Sequence, residues 1–181
     1  MLRVALVGRN KTAKTWVGQW MQEKHNFNHK RMGDPVEGFV KYTHYWHRRY
    51  RGKMYTWIQK LQIYDFMHKL EPAIWVNYME HRLEQQGADV VVSDVRYIDE
   101  LEYLRDKLGF IVVRVHAPLQ KMPQLQNQLG PEADKGTLIL LEAFGKDFTE
   151  KIQANYSITW DEKDKGPAKI AVAALVETLR S

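Results

Sequence analysis

Leu2 to Val7 is apolar except for Arg3 and runs into Gly8, the pattern of a short strand covered on both faces. Ala88 to Ser93, Phe110 to Val115 and Asn155 to Trp160 repeat that pattern, and a weaker, polar strand is expected around Asn26 to Met32. Helices are expected between these runs. Thr15 to Lys24 follows the first glycine turn. Ile98, Leu101, Leu104 and Leu108 recur at helical spacing before a stop at Gly109. Ile170, Ala173, Ala174 and Leu179 mark a last amphipathic helix, with Pro167 near its start. Strands alternating with helices imply crossover units, and therefore an α/β fold with a parallel sheet covered on both sides. In such a fold the loops at the carboxyl ends of the strands carry ligands.

Two stretches break the alternation. Residues 35 to 86 are aromatic and basic without a clear strand, and read as a helical lobe inserted between strands. Residues 119 to 151 are rich in Gln, Pro and Gly, and read as a loop or lid with a short helix near 138 to 144. The whole is expected to be a single domain over residues 1–181, a length that buries a real core.

Composition narrows the chemistry. There is no cysteine, which excludes disulfides, thiolate metal sites and cysteine nucleophiles. No apolar run approaches a membrane span of about 20 residues, and the start lacks a signal-peptide pattern, so a cytoplasmic protein is expected, with no membrane partner. The net charge is +5, and nine Lys or Arg fall between Lys24 and Lys60 against only Asp34 and Glu37. That positive field suits an anionic partner, whether nucleotide phosphates, nucleic acid or an acidic surface.

The sharpest local signal is Gly8-Arg9-Asn10-Lys11-Thr12-Ala13-Lys14-Thr15, a G-x-x-x-x-G-K-[ST] phosphate loop with Ala13 in place of the second glycine. It follows a strand and opens a helix, so main-chain N–H groups and the helix dipole would face phosphate oxygens. Lys14 would reach the β- and γ-phosphates, and the Thr15 hydroxyl would serve Mg²⁺. A positive φ at Ala13 would strain the loop; a negative one would cost little. The second signal is Ser93-Asp94-Val95-Arg96 at a strand tip, where an acid can hold Mg²⁺ and an arginine can fork onto phosphate. The plainer alternative for this motif is a helix-capping Asp beside a surface Arg.

Taken in order, these motifs resemble the phage deoxynucleoside monophosphate kinases, P-loop kinases related to adenylate kinase. Gly8 to Thr15 matches the family's phosphate loop, and Met32-Gly33-Asp34-Pro35-Val36 resembles its A-D-P-L segment. Ala88 to Tyr97 with Asp99-Glu100 resembles its V-V-x-D-x-R segment, and Phe110 to Pro118 its next strand. The resemblance implies a three-layer P-loop kinase fold and transfer of the ATP γ-phosphoryl group to a deoxynucleoside 5′-monophosphate, with Mg²⁺. It assigns Gly8 and Asn10 to Thr15 to ATP, Thr15 and Asp94 to the metal, and Arg96 to the acceptor phosphate. Lys14, Asp94, Arg96 and Arg9 would then be the catalytic groups, Arg9 and Lys11 replacing arginines that the lid lacks.

Asp34 would lie at the acceptor lobe, where Arg49 is expected on the phosphate and Tyr42 or Trp46 on the base. The chain departs from the family at Ala13, at Glu37 and at Ala117 before Pro118. Partners are expected to be small-molecule nucleotides. Nucleic acid is the less favoured partner, a homodimer is left open, and a phage-infected bacterial host is the implied setting. The alternatives are a P-loop kinase for another small acceptor, or a nucleic-acid-binding protein with a degenerate phosphate loop. His44 and His47, three apart, are read as exposed or phosphate-facing, and Trp75, Tyr78 and Met79 as a buried helix face.

Overall fold

In the computed structural model, residues 1–8, 13–37, 53–84, 87–116, 151–161 and 163–181 are described, residues 53–61 by main chain alone. The elements run β1 (Arg3–Val7), α1 (Lys14–His25), β2 (Asn28–Arg31), α2 (Lys53–Leu70), α3 (Ile74–Glu84), β3 (Val90–Ser93), α4 (Ile98–Asp106), β4 (Ile111–His116), β5 (Tyr156–Thr159) and α5 (Gly166–Arg180). The five strands form one parallel sheet in the order β2-β3-β1-β4-β5. Each expected strand is present; the polar β2 and β5 form the two edges, and β5, expected to be covered on both faces, is exposed except at Ile158.

The order explains the sequence pattern. β1 is paired on both edges by β3 and β4 and covered by helices on both faces, so Val4, Ala5, Leu6 and Val7 are all fully buried. Alternate side chains of the strands point to opposite faces. Ala5, Val7, Val90, Val92 and Val112 meet Tyr64, Trp75, Val76, Met79, Leu101 and Leu104 from α2, α3 and α4 on one side. Val4, Leu6, Val91, Val113 and Val115 meet Val17, Met21, Val172, Leu175 and Val176 from α1 and α5 on the other. Each such Val or Leu contributes roughly 1.5–3 kcal/mol by leaving water. Trp75 and Met79 are buried as expected, while Tyr78 is half-buried and its hydroxyl accepts from Arg82 at 3.1 Å.

The amino edge of the sheet is tied by Asp89. Its carboxylate accepts from the Leu2 main-chain N–H at 2.7 Å and from Arg180 at 3.0 Å, joining the last helix to the first strand. Among the described residues, no helix is long and apolar enough to cross a membrane. Residues 53–70 and 74–84 of the expected lobe are helical. The expected lid helix, His44, His47 and Ala117 lie outside the described residues.

Candidate functional site

Three chain segments meet at the carboxyl edge of the sheet. The first is the turn after β1. Gly8 has φ 136°, a value that glycine tolerates best, and Ala13 caps α1 with φ 58°, ψ 18°. The positive φ that would strain the loop is therefore present at Ala13, and a left-handed alanine costs about 1–2 kcal/mol. α1 carries no acidic residue in its first turn and no side-chain hydrogen bond at its cap. Its first N–H groups and the positive dipole end thus have no side chain of the helix set against them, a favourable place for an anion.

Lys14 begins α1 and is 8% exposed. Its ammonium donates to the Gly8 carbonyl at 2.7 Å, which folds the side chain back toward the end of β1. Thr15 follows it on the exposed side of the first turn. Arg9, Asn10, Lys11 and Thr12 lie outside the described residues.

The second segment follows β3, the strand hydrogen-bonded to β1. Asp94 has φ 72°, and its carboxylate is gripped by Arg96, Nε to Oδ1 at 3.0 Å and Nη2 to Oδ2 at 2.9 Å. This fork is the strong geometry for an arginine and a carboxylate. Arg96 also lies 4.5 Å above the centre of the Tyr64 ring, which is stacked on Trp75 at 4.4 Å. Burial works against the guanidinium charge, but Asp94, together with Tyr64 and Glu100, offsets it and holds the Arg96 pKa above its ordinary value. The alternative of a capping Asp and a surface Arg does not fit. The N-cap of α4 is Tyr97, and the Arg96 side chain is only 16% exposed.

The third segment follows β2, which pairs with β3 through Arg31↔Ser93. A Cβ placed on Gly33 would stand 2.9 Å from Asp94 Oδ2 and 3.7 Å from Arg96 Nη2, so the main chain of Gly33 lies against the fork. Asp34, one residue on, accepts from Arg31 Nε at 2.8 Å, and Arg31 also pairs with Glu37. Asp34 is therefore beside the fork, but its carboxylate is committed to Arg31. Tyr42, Trp46 and Arg49 lie outside the described residues.

Behind the edge, His29 Nε2 shares a hydrogen bond of 2.7 Å with Ser93 Oγ. Desolvation and then the nearby Arg31 charge lower its pKa, which favours the neutral ring. The buried Glu100 accepts from Tyr64 OH at 2.6 Å, from Arg96 N at 2.9 Å and from Tyr97 N at 3.2 Å. Desolvation raises its pKa to about 7 against those three donors. Tyr64, Glu100, Arg31 and His29 were not among the site residues expected from the sequence. Glu100 had one local signal, its place three residues after the cap of α4.

The Thr15 hydroxyl and the Asp94 carboxylate are hard oxygen donors of the kind that suit Mg²⁺ held mainly through substrate phosphates. Among the described residues there is no cluster of three His, Asp or Glu that could hold a metal by itself.

Neither a protein-family model nor a curated protein sequence matches the chain. Solved structures do. The shikimate kinase from Bacteroides thetaiotaomicron is similar at 19% identity, over 99% of each chain, with a TM-score of 0.50. A gluconokinase from Sinorhizobium meliloti 1021 is similar at 14% identity, over 99% of this chain and 95% of that one, with a TM-score of 0.53. The shikimate kinase from Acinetobacter baumannii, in complex with shikimate, is similar at 15% identity over 99% and 93%, with a TM-score of 0.51. At these identities the shared property is the fold, the parallel-sheet P-loop kinase fold.

Proposed function

We propose that this protein transfers the γ-phosphoryl group of ATP to a deoxynucleoside 5′-monophosphate. The observation that carries the reading is the convergence at one sheet edge of Lys14 at the phosphate-loop turn, the Asp94–Arg96 fork and the Gly33–Asp34 turn. Lys14 and the first turn of α1 bind the donor phosphates and orient the terminal one. Arg96, held flat by Asp94 and by the Tyr64 ring, offers the acceptor phosphate its positive charge and the N–H groups not turned to Asp94. Mg²⁺, when bound beside Thr15 and Asp94, supplies charge neutralisation at the donor phosphates.

A monophosphate acceptor is already an anionic nucleophile, so the site needs positioning and charge neutralisation rather than a base. That matches the carboxylates of this edge. Asp94 accepts from Arg96 through both oxygens, and Asp34 is paired with Arg31. A second reading keeps ATP and changes the acceptor to a metabolite hydroxyl; shikimate kinases and a gluconokinase share the fold. A hydroxyl acceptor must lose a proton, which calls for a carboxylate available to take it.

The test is ADP formation from Mg-ATP with a panel of deoxy- and ribonucleoside monophosphates, beside shikimate and gluconate. Turnover with a deoxynucleotide is expected, falling at least ~100-fold in Lys14→Ala. Turnover with a hydroxyl acceptor alone would move the assignment to the second reading. Undiminished turnover in Lys14→Ala would sink the phosphate-loop mechanism.

A further inference from the structure

Glu100 occupies a place that a helix cap does not require. A glutamate at the third position of a helix normally reaches back to the cap from the water side, yet this one is fully buried and half-neutralised near pH 7. Burying a carboxylate is costly unless hydrogen bonds compensate it. Both of its oxygens are engaged, Oε2 by the main-chain N–H groups of Arg96 and Tyr97, Oε1 by the hydroxyl of Tyr64. Tyr64 in turn supplies the ring over which the Arg96 guanidinium lies. The contacts close a ring: Glu100 holds the Arg96 main chain from one end and, through Tyr64, steadies the surface under its side chain at the other. Tyr64 and Glu100 are 36 residues apart and belong to α2 and α4.

We infer that Glu100 is a positioning residue that fixes the orientation of the Arg96 guanidinium, and through it the binding of the acceptor phosphate. The acceptor half of the inference rests on the function proposed above. The orientation half does not. Glu100 cannot act on substrate directly, because it is fully buried.

Three variants and two readouts test it. Glu100→Ala removes both holds on Arg96. Glu100→Gln keeps an oxygen for the two main-chain donors and offers an amide to the Tyr64 hydroxyl, which rotates to accept. Tyr64→Phe keeps the ring and removes the hydroxyl. The first readout is the ¹⁵N NMR signal of the Arg96 Nε–H, identified by its loss in Arg96→Lys. The second is the pair of KM values for the deoxynucleoside monophosphate and for ATP.

In Glu100→Ala the Arg96 signal is expected to shift or broaden. The acceptor KM should rise about tenfold with the ATP KM unchanged, and Glu100→Gln should recover most of the loss. Tyr64→Phe should give a smaller effect of the same kind, and it decides the matter where Glu100→Ala yields no folded protein. An unmoved Arg96 signal in a folded Glu100→Ala or Tyr64→Phe variant overturns the inference. So does a fall in melting temperature with neither KM changed, which a merely structural carboxylate would give. If the wild-type protein phosphorylates no monophosphate, the acceptor reading fails, and the Arg96 signal alone decides whether Glu100 sets its orientation.

Discussion

Ala13 concentrates the chemistry of the loop in one backbone angle. At φ 58° its methyl group carries a penalty of about 1–2 kcal/mol, while glycine would carry none there. Glycine also loses more entropy on folding, roughly 0.5–1 kcal/mol relative to alanine. Ala13→Gly is therefore expected to raise the unfolding free energy by roughly 0.5–1 kcal/mol, seen as a higher urea midpoint at unchanged slope. A loss of stability would mean that the left-handed angle belongs to another conformation of the turn. Asp94 also has a positive φ, 72°, which aspartate tolerates better than alanine, and its carboxylate is the one that Arg96 grips. Left-handed residues at the cap of α1 and after β3 fit a site whose geometry is imposed by its surroundings.

The contact between α1 and β2 decides how the phosphate-loop helix sits on the sheet. Gly18 of α1 passes so close to His29 of β2 that an added Cβ would lie 2.6 Å from the ring nitrogen Nε2. That nitrogen is also the one shared with Ser93 on β3. Gly18→Ala must displace the ring or the helix, because the ring is half-buried and already hydrogen-bonded. Overpacking of this kind typically costs 1–3 kcal/mol. A urea midpoint lowered by that amount is expected, with the His29 imidazole signals moved in the NMR spectrum. Stability equal to wild type would show that α1 moves away from β2 without penalty.

For the molecule as a whole, Glu100 links stability to pH. Its folded pKa, about 7, is above the ordinary value of 4.5, so the native state holds this proton more tightly than the unfolded chain. The stability it contributes is complete below about pH 4.5 and is lost as pH rises through about 7. His29 acts in the opposite sense: its lowered pKa means that stability is lost as pH falls below 6.5. Comparing Glu100→Gln with wild type isolates the first effect. The variant is expected to gain on the wild type by roughly 1–3 kcal/mol between pH 5 and pH 8, measured by urea unfolding at each pH. Parallel profiles for the two proteins would show that Glu100 keeps an ordinary pKa in the fold.

The apolar runs of β1, β3 and β4, the more mixed β5 and the glycine-lysine turn after β1 were legible in the sequence because each is a local pattern. Buried parallel strands are apolar throughout, and a phosphate loop is a contiguous strand, turn and helix. The polar β2 was the weakest expectation, since an edge strand has little apolar face to display. Arg96 and Asp94 could be named from their place at a strand tip, but their mutual fork, the Tyr64 ring beneath and the Gly33 main chain beside them could not. The Tyr64 and Gly33 contacts join residues 32 and 61 positions apart along the chain, and no period or spacing encodes them. The sequence alone determined which strands form and that Gly8 and Lys14 lie where β1 passes into α1. Only the tertiary structure decided which side chains hold Arg96 in place, because the sheet order brings β1, β2 and β3 to a common edge and α2 over it.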